Sequence, residues 1–260
     1  MPWKSSGNSI PEEPLELGKP ISRSFPGYCH RVLERMTHRL ASDYRELQEY
    51  TEHTTHELQT PLAVIKSKTE LLMQSTRLGE EEMSLLQSIL HSTGQLSRLN
   101  AALTLLTRIE NRQFPGRKAL RAGVLFDRHL ENLTELIDMR RIHVHKGKWD
   151  EHTTLVMDEG LADILVANLL KNAVLHNREG GRLELDIREH RLEIRNEGEP
   201  LRFSEQDLFL RFVRDKGKSG NLGLGLSIVK KICETYGYEI SYAYDSGYHR
   251  FSIHLQKEES

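Results

Sequence analysis

Three absences narrow what this protein can be. There are only two cysteines, Cys29 and Cys233, far apart and in no CxxC pair, so no disulfide framework is expected. No apolar run approaches the ~18 residues that a membrane-spanning helix needs, and the N-terminus lacks the apolar segment of a signal peptide. The net charge is −2 with both signs interspersed, which gives no basic field for nucleic acid.

These absences predict no nucleic-acid partner and no membrane segment in this chain. A reducing, cytoplasmic location fits the cysteine usage. The same prediction holds whether the chain is whole or is the cytoplasmic part of a longer, membrane-anchored protein.

The chain is long enough for about two domains, since its 260 residues compare with ~150 for one domain. Hydrophobic residues at 37% and charged residues at 28% are typical of a folded globular protein. The N-terminal residues 1–28 differ, because five of the eight prolines lie there among serine, glycine and glutamate. We interpret residues 1–28 as a linker or disordered arm.

Residues 29–111 show apolar positions at steps of three and four, which predict long helices. A break at 75–79 separates a first helix from a second at about 80–109, and two such helices form an antiparallel hairpin. One hairpin cannot bury both apolar stripes, so we expect two copies to form a dimeric four-helix bundle. The stripe includes Leu58, Leu62, Ile65, Thr69 and Leu72, then Leu86, Ile89, Thr93, Leu96, Leu99, Leu103 and Leu106.

The sequence pattern changes after residue 111. Residues 112–121, with Pro115-Gly116, are predicted to be a linker, and residues 122–257 a second domain. Helices are predicted at 123–139, 159–177 and 223–236, and strands at 141–146, 153–157, 182–188, 190–196, 238–246 and 248–256. The expected fold is α+β: the helical hairpin is followed by an α/β sandwich whose helices cover one face of a sheet.

The stretch HTTHELQTPL, residues 53–62, places an unusual cluster on the first helix. His56 is rotated ~200° from Thr54 and Leu58, so it should face away from the apolar stripe. A neutral imidazole is a usable nucleophile, and Glu57 could orient the ring or accept its proton. Pro61 should bend or loosen the helix beside His56. However, the chain has 13 histidines, and a solvent-facing histidine is most often only a solvated side chain.

The run His56-Glu57-Leu58-Gln59-Thr60-Pro61-Leu62 resembles the phosphoacceptor box of sensor histidine kinases. The resemblance implies that His56 receives a phosphoryl group and that Glu57 is its base or orienter. It also implies that Thr60 helps to place a water for phosphatase action. His53 has no role in this pattern.

A second cluster lies in NLLKNAVLHN, residues 168–177. Asn168, Asn172 and His176 share one helical face with Lys171 beside them, and amide oxygens suit hydrated Mg²⁺. A polar helix face without a ligand is the alternative. The stretch resembles the N box of the same family, which implies that Asn172 and Asn168 hold Mg²⁺ and that His176 stacks on the base. Leu175 departs from the Lys or Arg found in many members.

A third stretch, IRNEGEPL, resembles the family's first glycine box. Asn196 replaces the usual aspartate, Gly198 matches, and Pro200 replaces a second glycine. The resemblance implies that Asn196 contacts the adenine amino group. An amide can still accept that hydrogen bond but lacks the help of a charge, which predicts weaker nucleotide binding.

The last cluster precedes and opens the helix predicted at 223–236. Its resemblance to the family's F box and ATP lid implies that Phe209 belongs to the nucleotide site and that Arg214 reaches the phosphates. Glycines before a helix expose backbone amides to an anion. A dinucleotide-binding fingerprint does not fit, because that motif follows the first strand of a parallel βαβ unit. The lid and glycine residues are Lys216, Lys218, Gly220, Gly223 and Gly225.

The four boxes together imply an ATP- and Mg²⁺-dependent histidine kinase. It would autophosphorylate His56 and pass the phosphoryl group to an aspartate in the receiver domain of a response regulator, with possible phosphatase action toward it. The departures at Leu175, Asn196 and Pro200 keep open a regulatory or phosphatase module without autokinase activity. A chaperone-type or mismatch-repair-type ATPase is a further alternative, although the histidine-bearing hairpin argues against it.

Overall fold

The computed structural model describes residues 58–75, 78–213 and 222–255. Residues 58–73 are helical (α1), and α2 spans Glu80–Glu110, so the second helix predicted at 80–109 is confirmed. Glu80, Glu81 and Glu82 occupy the first turn of α2, where negative charge suits the positive end of the helix dipole. Together α1 and α2 form the helical hairpin; the earlier part of the first predicted helix lies outside the described residues.

Five of the twelve positions in the predicted apolar stripe of the hairpin are exposed in a single chain. Leu58, Ile65 and Leu72 on α1, and Ile89 and Leu96 on α2, are all exposed. Helices of globular proteins normally bury such a stripe. The hairpin therefore presents an apolar surface that residues 58–75, 78–213 and 222–255 of its own chain do not cover.

The C-terminal part contains a five-stranded sheet of order β2-β4-β5-β7-β6 and a separate pair, β1 with β3. The β2 and β4 strands are parallel, and all other pairs are antiparallel. The strands are β1 (Lys118–Arg121), β2 (His143–Trp149), β3 (Thr154–Met157), β4 (Arg182–Arg188), β5 (Arg191–Glu197), β6 (Glu239–Asp245) and β7 (Tyr248–His254).

Four helices accompany these strands, and they cover one face of the five-stranded sheet, as predicted. Alternation makes that face apolar: Leu183 and Leu185 of β4, Ile194 of β5 and Phe251 of β7 are all buried. The opposite face carries charged side chains. The helices are α3 (Ala122–Asn132), α4 (Thr134–Met139), α5 (Glu159–Leu175) and α6 (Gly225–Tyr236), and a short 3₁₀ turn spans Glu205–Asp207.

The single helix predicted at 123–139 is wrong, because the chain leaves the helical path at Leu133. Leu133 donates its backbone N–H to the Leu130 carbonyl, three residues back, at 3.0 Å. The Thr134 hydroxyl approaches the same carbonyl at 3.3 Å, where an unbroken helix would receive the Thr134 N–H. At Leu133 the backbone has φ −103° and ψ 2°, away from helical values, so α3 ends at Asn132 and α4 begins at Thr134.

The predicted linker at 112–121 also needs correction in its last four residues. These residues form β1, which pairs with β3 from Lys118 opposite Met157 to Arg121 opposite Thr154. The partner strand lies more than thirty residues ahead in sequence, and the four letters KALR carry no alternation of their own. Local pattern therefore could not reveal the strand.

The strand predicted at 141–146 begins later and runs further, as β2. Arg141 has a positive φ of 54°, which ends the preceding helix and delays the strand to His143. At the other end Trp149 packs edge-on against Phe126, with ring centroids 6.4 Å apart. That packing holds the strand in place beyond residue 146, with an irregularity between Lys146 and Trp149.

The C-terminal turns of α2 join the core of the second domain. Leu106 and Ile109 are each only 1% exposed and belong to the same apolar cluster as the sheet and α5. At the end of α2, the Glu110 carboxylate lies 2.8 Å from the Arg211 guanidinium and 3.8 Å from the Lys231 ammonium. One end of the hairpin is therefore fixed to α6 and to the segment before residue 214.

Cys233 is buried on α6, and it forms no disulfide. Burial, aided by the nearby Glu234 carboxylate, raises the pKa of its thiol to about 12. None of the helices in the described ranges is long and apolar enough to cross a membrane.

Candidate functional site

The polar face of α5 is positioned by a well-formed helix start. The Asp158 carboxylate accepts the Leu161 N–H at 3.2 Å and so caps the helix. The helix ends at Leu175, two residues before the predicted end, and His176 takes the capping position with its N–H on the Asn172 carbonyl. Asn168 and Asn172 are half-buried, whereas the Lys171 side chain is exposed.

Asn168 meets the start of α6. Its amide nitrogen donates to the Ile164 carbonyl at 2.8 Å, which leaves the amide oxygen Oδ1 for another partner. A Cβ added to Gly225 would lie only 2.9 Å from that oxygen. The absence of a side chain at Gly225 therefore lets the N-terminus of α6 lie directly against the N box, although the two are far apart in sequence.

Gly223 fixes the chain just before α6. Its φ of +69° is one that glycine adopts freely, and an added Cβ would meet the Val213 carbonyl at 2.6 Å. Its own carbonyl accepts the Phe212 N–H at 2.9 Å. Phe209, three residues earlier, packs partly buried against the core, with the Lys230 ammonium 6.0 Å from its ring centroid. The predicted F box and the predicted last glycines are thus adjacent.

Asn196 and Gly198 form the opposite side of the site. Asn196 is 1% exposed and points to the helix-covered face of the sheet. Its Nδ2 makes a long 3.4 Å hydrogen bond to the Glu197 carbonyl, and among the described residues its Oδ1 accepts none. A Cβ on Gly198 would lie 2.7 Å from His249 Nε2 and 3.0 Å from the His176 carbonyl.

The sequence prediction missed His249. It lies directly opposite Asn196 in the β5–β7 pairing, is buried, and has its Nδ1 2.7 Å from the Tyr242 hydroxyl. Burial raises the pKa of Tyr242, so its hydroxyl stays protonated. A signal existed in the sequence: on the inner face of β7, where Phe251 and Ile253 follow, a histidine stands at a position expected to be apolar.

Glu197 supports the site from the outer face of the sheet. The Tyr248 hydroxyl donates to its Oε1 at 2.7 Å, and Arg178 forms an ion pair with its carboxylate. Burial favours the protonated acid, but the Tyr248 hydrogen bond and the Arg178 charge outweigh it and hold the pKa of Glu197 below its ordinary value of 4.5. The end of β5 is therefore tied to the turn after α5 by a charged group at neutral pH.

The donor set fits Mg²⁺ bound mainly through a substrate. Among the described residues there is no group of three or more His, Cys, Asp or Glu side chains that could hold a metal alone. Mg²⁺ keeps several waters and usually takes one or two protein ligands plus phosphate oxygens. The amide oxygens of Asn168 and Asn172 match that requirement.

Several predicted site residues lie outside the described residues, namely His56, Glu57, Arg214, Lys216, Lys218 and Gly220. Thr60 is helical and exposed on α1, and Pro61 follows it within the same helix. The structure thus brings together the N box, the first glycine box, the F box and Gly223-x-Gly225.

Comparison with known families agrees with this arrangement. Residues 46–112 match the model of the His Kinase A (phospho-acceptor) domain. Residues 157–259 match the model described as histidine kinase-, DNA gyrase B- and HSP90-like ATPase. The chain belongs to the sensor histidine kinases. The phospho-acceptor match separates it from the gyrase-type and chaperone-type ATPases, which share only the second model's description.

Individual sensor kinases resemble it at low identity. Sensor histidine kinase HprS of Escherichia coli K12 is 26% identical over 233 residues, covering 86% of this chain and 51% of HprS. Alginate biosynthesis sensor protein KinB of Pseudomonas aeruginosa is 27% identical over 208 residues, covering 76% of this chain and 34% of KinB. The chain thus spans about half or less of the length of these relatives.

Solved histidine kinases share the fold. The Acinetobacter baumannii kinase AdeS aligns with a TM-score of 0.57 at 20% identity, covering 78% of this chain and 98% of that structure. Full-length ShkA in complex with AMPPNP aligns with a TM-score of 0.60 at 20% identity, covering 80% and 46% respectively. At this identity the likeness concerns the fold alone.

Proposed function

We propose that this chain is an ATP-dependent protein-histidine kinase that phosphorylates its own His56. The observation that carries the proposal is the meeting of Asn168 and Gly225: an N box and a glycine-opened helix lie against each other in a chain that also matches a phospho-acceptor domain. Amide oxygen donors beside the N-terminus of a helix suit a metal-bound triphosphate.

In the proposed reaction the His56 imidazole nitrogen attacks the γ-phosphorus of ATP in line. A nitrogen–phosphorus bond forms, the bond to the β,γ-bridging oxygen breaks, and ADP leaves with that electron pair. Glu57 orients the ring or takes the imidazole proton. Asn168 and Asn172 would hold Mg²⁺, which neutralises phosphate charge, and Arg214 would add a positive charge beside the phosphates.

The proposed acceptor of the phosphoryl group is an aspartate in the receiver domain of a separate response regulator. Thr60, exposed one turn beyond His56, would position a water that hydrolyses the phosphoaspartate of the receiver domain and releases inorganic phosphate. Use of ATP fits the cytoplasmic location predicted from the sequence. The exposed apolar stripe of the hairpin supports a homodimer, because a second copy is the surface that matches it.

The test of the kinase proposal is labelling with γ-³²P-ATP and Mg²⁺, using the full chain and two matched histidine variants. His56→Gln should abolish an acid-labile label, and His53→Gln, one turn earlier, should keep it. Label that persists in His56→Gln, or disappears equally in both variants, would contradict the assignment of His56.

A second candidate function is a phosphatase or regulatory module that binds nucleotide without phosphorylating itself. The observation that favours it is the replacement of the adenine-binding aspartate by Asn196, together with Leu175 and Pro200. Such a chain would bind Mg·ATP and remain unlabelled, yet would accelerate loss of phosphate from a phosphorylated receiver domain. Thr60→Ala should slow that loss, whereas His53→Gln should not.

A further inference from the structure

The Asn196 amide is buried without being locked in one orientation. Its nitrogen makes a single 3.4 Å hydrogen bond, near the limit for such an interaction, and its oxygen accepts none among the described residues. A buried polar atom without a partner is unfavourable, because it has lost its hydrogen bonds to water. A ligand group that reaches the amide would therefore gain a hydrogen bond that the described residues do not supply.

The amide differs from a carboxylate in what it can offer a purine base. An ionised aspartate only accepts hydrogen bonds, so it pairs with the 6-amino group of adenine and repels the 6-oxygen of hypoxanthine or guanine. An asparagine presents both an acceptor and a donor, and a half-turn about its last torsion exchanges them. It can accept from a 6-amino group or donate to a 6-oxo group.

The groups around Asn196 do not impose one orientation on its amide. His249, opposite it, is a donor at one ring nitrogen and an acceptor at the other, and the Tyr242 hydroxyl beside its Nδ1 can serve either tautomer. The adjacent charge, Glu197, points to the other face of the sheet and is engaged by Tyr248 and Arg178. The inner face at Asn196 therefore presents an imidazole and a hydroxyl, each of which can act as a hydrogen-bond donor or acceptor.

We propose that Asn196 lets this site accept either an amino or an oxo group at position 6 of the purine, a property we call relaxed selectivity. Triphosphates of 6-oxopurines would then bind comparably to ATP. The inference rests on the proposed function, since it assumes that the nucleotide base reaches Asn196. It goes beyond that function by naming the class of nucleotide that the site accepts and the side chain that decides it.

The experiment measures dissociation constants of Mg·ATP, Mg·ITP and Mg·GTP for the full chain by titration calorimetry. ITP differs from ATP in carrying an oxygen at position 6 and therefore isolates that position; GTP adds a 2-amino group. We expect the Kd for ITP to lie within about tenfold of the Kd for ATP. Asn196→Asp should tighten ATP and weaken ITP, separating the two by roughly 100-fold or more, because a buried carboxylate facing an oxygen is strongly unfavourable.

Asn177→Asp is the matched control, because Asn177 is also a buried asparagine with an unpaired amide oxygen, located in the turn after α5. It should leave the ratio of the ITP and ATP constants unchanged. If Asn196→Asp does not fold, Asn196→Ala replaces it and should weaken ATP and ITP by the same factor.

The outcomes separate the two proposals. ITP binding 100-fold weaker than ATP in the natural chain, an ITP-to-ATP ratio that Asn196→Asp leaves unchanged, or unequal weakening of the two nucleotides by Asn196→Ala overturns relaxed selectivity and leaves the kinase proposal intact. Absence of binding by all three nucleotides overturns both.

Discussion

The hairpin and the ATP-binding domain bury their apolar side chains to very different extents. On α1, Leu71 and Leu72 are 67% and 55% exposed, whereas Leu165 on α5 is fully buried. Helix α2 contains apolar side chains of both kinds, since Leu96 is exposed and Leu106 is buried. The ATP-binding domain therefore completes its core within one chain, while most of the hairpin requires a second surface.

The largest effect should come from charging the predicted stripe. In the proposed symmetric dimer, Leu72→Lys would place two ammonium groups in the interface and remove two leucines that the dimer would bury, at about 2 kcal/mol each. We expect the dimer dissociation constant to rise at least ~100-fold, measured by analytical ultracentrifugation. Leu71→Lys, an exposed neighbour outside the stripe, is the control and should change it far less; equal effects of the two variants would contradict the predicted seam.

Truncating a core side chain should produce the next largest effect, a loss of stability. We expect this loss for a side chain of the ATP-binding domain and not for one of the hairpin. Leu165→Ala leaves a cavity at a fully buried position and should lower the free energy of unfolding by about 3 kcal/mol. Urea unfolding followed by Trp149 fluorescence, in a Trp3→Phe background, measures it. Leu71→Ala should shift the same transition by less than about 0.5 kcal/mol. A larger shift from Leu71→Ala would mean that the hairpin also relies on intrachain burial there.

Removing the ion pairs at the junction of the two regions should have a smaller effect. Glu110, Arg211 and Lys231 are each about one-third to one-half exposed, so solvent screens their attraction. Glu110→Ala should therefore lower the free energy of unfolding by at most ~1 kcal/mol, and less in high salt.

Glu70→Ala serves as the control for Glu110→Ala, because Glu70 has a more exposed partner, Lys66. Its effect should be smaller still. A loss for Glu110→Ala that does not respond to salt would show that packing, and not charge, holds α2 to α6.

The smallest effect should appear on acidification. The pKa of Glu197 is lower in the folded chain than its ordinary 4.5, so the unfolded chain binds more protons and stability falls as pH drops below about 4.5. The fall continues until the folded-state pKa is passed. Unfolding measured from pH 6 to pH 3 should show a shallower decline for Glu197→Gln than for the natural chain. An equal loss of stability with falling pH in the two chains would show that Glu197 does not contribute to it.

Much of this fold could be predicted where the pattern is local. Leu183-Leu185-Ile187 and Leu192-Ile194 alternate so regularly that β4 was predicted at its observed bounds and β5 within one residue. The glycines before α6 and the asparagines of α5 also indicated a nucleotide site. The predictions that failed concern elements whose formation depends on residues distant in sequence. Strand β1 forms only because β3 lies beside it, and β2 extends to Trp149 because Trp149 packs against Phe126.

The candidate site shows the same division. Resemblance to the family's boxes indicated Asn168, Asn196, Gly198 and Gly225, and the fold brings the first and last of these together. His249 was missed because only the β5–β7 register places it opposite Asn196. A cross-strand neighbour cannot be identified without knowing which strands pair.

The buried Cys233 thiol has a practical consequence for studying motion in this protein. Thiol reagents attack the thiolate, which at neutral pH is almost absent when the pKa is about 12, and they must also reach the sulfur. In a Cys29→Ser chain, any labelling would have to wait until α6 separates from the sheet. The labelling rate would then report how often the ATP-binding domain transiently opens, and adding nucleotide would show whether a filled site slows that opening.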